Sequence, residues 1–192
     1  MRAWVLALGA VLAVACAPPT PQLPELMNRD LYTCCTLWFD LGRNATDANY
    51  QYNTYREGTV LPLGTRVRVV SGDQHQVRFQ PAGMEDTFRL VFRFGTERST
   101  GPQWFHQILL DQDPRRALSG MSPAAVHAIQ AGQLAVGLTK VQAIMARGYP
   151  PLHRTAGIDA DEWLYYASPG FVDHVRFSDG AITSVQREPA PQ

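Results

Sequence analysis

Cysteine is scarce in this chain: there are three among 192 residues, and none of them is spaced as in a zinc site or a Cys-x-x-Cys redox motif. Charge of one sign is also lacking, since lysine plus arginine equals aspartate plus glutamate at 17 each, so nothing predicts nucleic-acid binding. The five scattered histidines form no His-x-x-x-His pair, and no Gly-x-Ser-x-Gly elbow or glycine-rich phosphate loop occurs. We therefore expect a protein that is not an enzyme, with no catalytic residue, no cofactor and no metal.

The amino-terminal residues carry the strongest signal that is present. Arg2 gives a positive start, residues 4–14 form a short apolar run, and Ala13-Val14-Ala15 supplies small residues. This order is typical of a secretory signal peptide, and the run is much shorter than the roughly 20 residues of a spanning helix. We assign residues 1–15 to a signal peptide.

A cysteine follows directly at position 16, and Ala13-Val14-Ala15-Cys16 resembles the lipobox of bacterial lipoproteins. The resemblance implies lipidation of Cys16, and the absence of Asp at position 17 implies the outer membrane. The usual leucine at the first position is replaced by Ala13, so a second interpretation stays open. In that alternative, cleavage before Cys16 releases a soluble periplasmic or secreted protein.

The next segment is rich in proline. Pro18, Pro19, Pro21 and Pro24 fall within ten residues, a composition typical of an extended linker. We predict a lipid-anchored tether over residues 16–30 and a folded region that begins near Leu31.

Cys34 and Cys35 are adjacent, so a bridge between them closes a very small ring and removes little chain entropy. We expect a structural role, either as a buried thiol pair or as a disulfide. The alternative is a thiol-based redox enzyme that uses this pair.

Residues 31–113 are predicted to form an antiparallel β-rich domain. Val67 and Val69 alternate with charged residues, and a Ser71-Gly72-Asp73 turn leads to Val77 and Phe79 in a second alternating strand. A further strand follows, with its apolar side chains at positions 88, 90, 92 and 94. The stretch 104–110 fits a strand or a short helix equally well.

Residues 114–188 change to a helical period and then return to strands. Ser122-Pro123 opens one helix, and Thr139-x-x-Gln142 is a capping box that starts a second helix at Lys140. We expect Val141, Ile144 and Met145 of the second helix to face the core. Three strands follow, at 162–166, 172–177 and 181–187, the last two joined by an Asp-Gly turn, which gives the order ααβββ.

Short motifs of this last region are similar to those of the SmpA/OmlA domain, the BamE-like fold. They are Gly137-Leu138-Thr139-Lys140-x-Gln142, Gly148-Tyr149-Pro150-Pro151, Trp163-x-Tyr165 and Val175-x-Phe177-x-Asp179-Gly180. The resemblance implies two helices packed on a three-stranded antiparallel sheet, in a lipoprotein on the periplasmic side of the outer membrane. The expected class is α+β: an antiparallel β domain followed by a BamE-like ααβββ two-layer domain.

The expected function is that of a non-catalytic protein-binding module of the cell envelope, held to the membrane through Cys16. Its partners would be envelope proteins, in outer-membrane assembly or maintenance, and no nucleic acid. Besides the redox alternative, an inhibitor-like protein that binds an envelope enzyme remains open, because similar folds of two helices on a sheet serve as inhibitors.

Overall fold

The computed structural model describes residues 23–41, 47–51, 58–93 and 98–190. The predicted signal peptide, Cys16 and the first half of the predicted tether lie outside these residues. The described chain mixes helices and strands, so the expected α+β class is confirmed. No helix within the described ranges has the length and hydropathy needed to cross a membrane.

The first eight strands form one sheet. They are β1 (Asp30–Thr33), β2 (Leu37–Leu41), β3 (Asp47–Gln51), β4 (Thr59–Leu61), β5 (Arg66–Gly72), β6 (Gln76–Pro81), β7 (Thr87–Val91) and β8 (Leu109–Leu110). Their order across the sheet is β4-β2-β3-β7-β6-β5-β1-β8. All neighbours pair antiparallel except β3 and β7, which are parallel, so the expectation of a purely antiparallel region is wrong at this one pair. Strand β3 pairs antiparallel with β2 on one side and parallel with β7 on the other, where Ala48 faces Phe88, 40 residues later in the chain.

The β5–β6 hairpin is confirmed with its predicted inward face. Val67, Val69, Val77 and Phe79 are all buried, and Val69 lies opposite Phe79 in the register. Phe79 also makes an edge contact with Phe39 of β2, with ring centroids 6.0 Å apart. These side chains form a first hydrophobic cluster on one face of the sheet.

Packing begins earlier in the chain than predicted. Leu23 and Leu26 are buried in the first cluster, and Met27 forms a parallel bridge with Val69. Residues 23–30 are therefore part of the folded region and not of an extended tether. The nearby prolines favoured the prediction of an extended linker, so the burial of Leu23 and Leu26 was not predicted. These leucines are three residues apart, a spacing that one tight turn places on the same side.

The stretch 104–110, for which a strand and a short helix were the two alternatives, contains the end of a helix followed by a short strand. Helix α1 (Gly101–Ile108) begins with a complete capping box between Thr100 and Gln103, and β8 follows directly. Trp104, Phe105 and Ile108 point into the first cluster. A 3₁₀ turn over Pro114–Leu118, capped by Asp113, then leads to the second half of the chain.

Helices α2 (Pro123–Gln130) and α3 (Lys140–Arg147) have the predicted starts. The Ser122 hydroxyl accepts a hydrogen bond from Ala125 N–H, and Thr139 forms its capping box with Gln142. Helix α3 ends at Gly148, whose φ of 83° lies in the left-handed region that glycine tolerates.

One prediction for α3 is wrong. Val141 is 66% exposed, and the buried positions of the helix are Ala143, Met145, Ala146 and Arg147. Of the three residues predicted to face the core, Met145 is buried and Ile144 is half-buried, so the prediction fails at Val141.

The last three strands form a second sheet in the order β11-β10-β9, from β9 (Glu162–Ser168), β10 (Phe171–Ser178) and β11 (Ala181–Pro189). The Asp179-Gly180 turn between β10 and β11 has positive φ at both residues, as a tight hairpin requires. Trp163, Tyr165, Val175 and Phe177 pack with α2 and α3 into a second hydrophobic cluster. The element order ααβββ is thus confirmed.

Candidate functional site

The two halves of the molecule meet at the segment that joins β1 to β2. Cys34 N–H donates to Ile108 O at the end of α1, at 2.8 Å, and Thr36 N–H donates to Met145 O in the last turn of α3, at 3.1 Å. The buried Thr36 hydroxyl donates to Ile129 O in the last turn of α2, at 3.1 Å. One short segment therefore binds carbonyl groups at the carboxyl ends of three helices, groups that a helix cannot satisfy itself.

Cys34 and Cys35 lie in this same segment and are joined as a disulfide between adjacent residues. Cys35 is fully buried and Cys34 almost so. In this state neither sulfur is a thiolate, and both lie in the first hydrophobic cluster. Their position fixes the backbone next to the hydrogen bonds that join the two sheets.

A buried ionic cluster lies between α3 and the second sheet. Asp173 of β10 accepts two hydrogen bonds from Arg187 of β11, at 2.8 and 3.2 Å, and its Oδ2 is 3.7 Å from Arg147 Nη1. Asp173 and Arg147 are both buried, whereas about half of the Arg187 side chain is exposed. Hydrogen bonding to Asp173 raises the pKa of Arg187 above its ordinary value.

One edge of the second sheet, β9, is partly covered by side chains. The outward Leu164 N–H of β9 donates to Thr155 Oγ1 at 3.2 Å, and Tyr166 O accepts from Arg147 Nη2 at 2.7 Å. These contacts satisfy backbone groups that an edge strand otherwise leaves to water or to another strand.

The opposite edge, β11, is covered over its first two residues. Ile182 N–H donates to Leu138 O, and Ile182 O accepts from Gly137 N–H, both at 2.8 Å. Beyond Ile182, no strand among residues 23–41, 47–51, 58–93 and 98–190 pairs with this side of β11. We call Thr183–Arg187 the open edge.

The face of the second sheet turned away from α2 and α3 carries an ionic network and a shallow groove. His174 Nδ1 is 3.1 Å from Glu162 Oε1, and His174 Nε2 is 3.5 Å from Glu188 Oε2, so the ring lies between carboxylates of both neighbouring strands. Arg154, Leu164 and other residues line a groove of about 630 Å³ beside this network. Both signs of charge alternate here, which gives the groove no preference for an anion or a cation.

The residues singled out in the sequence do not form one site. Cys16 lies outside the described residues, and Cys34 and Cys35 are bonded within the junction. Within the described ranges, no three histidine, cysteine or acidic side chains are placed to hold a metal. Sequence reasoning missed Arg147, Asp173 and the open edge, although the strand period that places Val175 and Phe177 inward also places Asp173 inward.

Comparison with known proteins gives no relative from which a role could be transferred. No family model matches this chain. No curated protein and no solved structure matches it either.

Proposed function

We propose that this chain is a non-catalytic lipoprotein of the bacterial envelope that binds other proteins at the periplasmic face of the outer membrane, with a BamE-like domain as its second half. The observation that carries the proposal is the pattern of residues 1–16, a short apolar leader that ends in small residues and Cys16. Acyl chains on one cysteine would hold the protein on a bilayer, because each buried methylene contributes about 0.8 kcal/mol.

The arrangement of the second half is compatible with this proposal. Helices α2 and α3 pack on a three-stranded antiparallel sheet, the layer order that the SmpA/OmlA resemblance implies. The chain between Cys16 and Leu23, where packing begins, contains Pro18, Pro19 and Pro21 and would act as a short spacer. Folded residues would then lie close to the membrane surface, within reach of other envelope proteins.

Metabolic labelling with palmitate in a bacterial host tests the anchor. Wild-type protein should take up label and sediment with membranes, whereas Cys16→Ser should be unlabelled and soluble. Cys34→Ser/Cys35→Ser is the matched control, because it changes cysteines without touching the leader and should label like wild type. Equal labelling of wild type and Cys16→Ser, or no label on either, contradicts the lipoprotein proposal.

Crosslinking in intact cells tests the binding role. A photo-reactive residue at the exposed Met84, in the turn between β6 and β7, samples the first sheet, and one at Gln186 samples the second. Adducts with envelope proteins at either position, lost on Cys16→Ser, support the proposal. Absence of adducts at both positions contradicts it.

A further inference from the structure

The backbone of β11 can be divided into groups that are paired and groups that are not. Phe177 N–H donates to Asp161 O, so the backbone groups of Phe177 point toward β9. Because this direction alternates along a strand, the N–H and C=O groups of Val175 and Asp173 also point toward β9. Val185 and Arg187 lie opposite Val175 and Asp173. The N–H and C=O groups of Val185 and Arg187 therefore point away from the sheet, into the open edge.

The open edge is limited at both ends. At Thr183 the pairing with β10 shifts by one residue, a bulge that separates the open stretch from the part covered by Leu138. At the other end Pro189 has no N–H to donate. Between them, two residues offer two donors and two acceptors, which suits one short strand and opposes extended stacking.

The side chains beside these groups define what such a strand would carry. Asp173 is shared by Arg147, which is buried, and by Arg187, which is half exposed. Both arginines share this one carboxylate, and Arg187 is the one whose side chain is accessible, at the open edge. An acidic side chain opposite Arg187 would complement it.

The neighbouring position is apolar. Val185 packs partly against the second hydrophobic cluster, as do Leu134 and Ala135. Val136 follows them, is 68% exposed, and immediately precedes Gly137, which bonds to Ile182 O at the start of the open edge. An apolar side chain opposite Val185 would cover Val185 and extend this cluster.

We propose that the open edge Thr183–Arg187 binds an extended segment of a partner protein as an additional antiparallel strand, with an acidic residue opposite Arg187 and an apolar residue opposite Val185. Partner residues opposite Arg187 and Val185 are two apart, so the recognised pattern is acidic-x-apolar. The antiparallel direction continues that of Gly137–Thr139, which already pairs antiparallel with the start of β11. This assignment rests on the proposed binding function and gives it a site.

Amide hydrogen exchange on the purified mature chain tests the edge directly. In the protein alone, the amides of Val185 and Arg187 should exchange at least tenfold faster than that of Gln186, which pairs with His174. If Val185 and Arg187 exchange as slowly as Gln186, the edge is already covered and the proposal is overturned.

The probe is a carboxyl-terminal extension of a flexible Gly/Ser linker followed by Thr-Glu-Thr-Val-Thr. A linked strand has an effective concentration in the millimolar range. It should slow exchange at Val185 and Arg187 at least tenfold and leave Gln186 unchanged. An extension with Lys in place of Glu should protect less, and one with proline at alternate positions should not protect. Equal exchange with all three extensions overturns the proposed recognition.

Crosslinking in cells separates this assignment from the general function. Val185→Pro removes an outward N–H that β10 does not use, and a thermal melt shows whether the variant is folded. Adducts at Gln186 that disappear in Val185→Pro while adducts at Met84 persist support the open edge as the site. Adducts at Met84 alone overturn the edge assignment and leave the proposed function standing, whereas adducts at neither position overturn both.

Discussion

Replacing Thr36 by valine should destabilise the whole molecule, because this hydroxyl joins its two halves. The side chain is buried, donates to Ile129 O at 3.1 Å and accepts from Leu63 N–H at 3.4 Å. Valine has the same shape, so packing is retained while both hydrogen bonds are lost. Ile129 O keeps a bond from Gly132 N–H, whereas Leu63 N–H becomes a buried donor without an acceptor.

The expected loss in the free energy of unfolding follows from that single orphaned donor. A buried polar group without a partner costs about 1–3 kcal/mol, so we expect about 2 kcal/mol. For a chain of this size that corresponds to a fall in Tm of roughly 4–8 °C. Urea denaturation of the purified mature chain, followed by circular dichroism under non-reducing conditions, measures the difference.

Thr183→Val is the matched control, since its hydroxyl donates to Arg176 O at an exposed position. That variant should stay within about 0.5 kcal/mol of wild type. If Thr36→Val is as stable as Thr183→Val, the Thr36 hydroxyl does not hold the halves together. The description of the junction would then be wrong.

Three further variants test other contacts. Gly101→Ala should lose about 1–3 kcal/mol in urea denaturation, because its Cβ would overlap the carbonyl oxygen of Gln74. Arg147→Met should lose about 3 kcal/mol, the low end for breaking a buried pair, since a second arginine still bonds Asp173. The neighbouring Arg115 guanidinium lowers the pKa of Asp113, so its folded pKa lies below its unfolded value. The stabilising effect of Asp113 is therefore present above the unfolded pKa and lost as pH falls through the folded pKa. Asp113→Asn should be less stable than wild type at neutral pH, and the difference should disappear in acid-titrated urea melts.

Local signals in the sequence predicted the starts of α2 and α3 and the two hairpins β5–β6 and β10–β11 correctly. The caps at Ser122 and Thr139 use partners three residues away, and the Asp179-Gly180 turn needs only its own two residues. Because both partners of each such interaction lie within a few consecutive residues, a short sequence pattern is enough to predict it. The bonds of Thr36 join residues 27 and 93 positions apart, and no short window contains both partners.

The ionic cluster was missed for a different reason. Strand alternation places Asp173 inward with Val175 and Phe177, so its burial could be inferred. Its partner Arg187 could not be inferred. If pairing is counted from the tight turn without a bulge, Asp173 lies opposite Gln186. The bulge at Thr183 moves the pairing by one residue and brings Arg187 opposite Asp173. A one-residue shift turns a side chain to the other face of a sheet, and nothing in this sequence marks the bulge.

The proposed strand addition at the open edge depends on the proposed lipid anchor, because the edge alone offers little binding free energy. An added strand at the open edge makes hydrogen bonds only through Val185 and Arg187, too few to overcome the entropy lost when two free proteins associate. Lipid on Cys16 would confine the chain and an envelope partner to one surface, which raises their local concentration without any new contact. Removing the anchor should therefore abolish edge adducts at Gln186 as completely as removing the edge itself, although the folded domain is unchanged. Should soluble Cys16→Ser protein retain those adducts, the edge would bind tightly by itself, and more of the surface than residues 183–187 would have to take part.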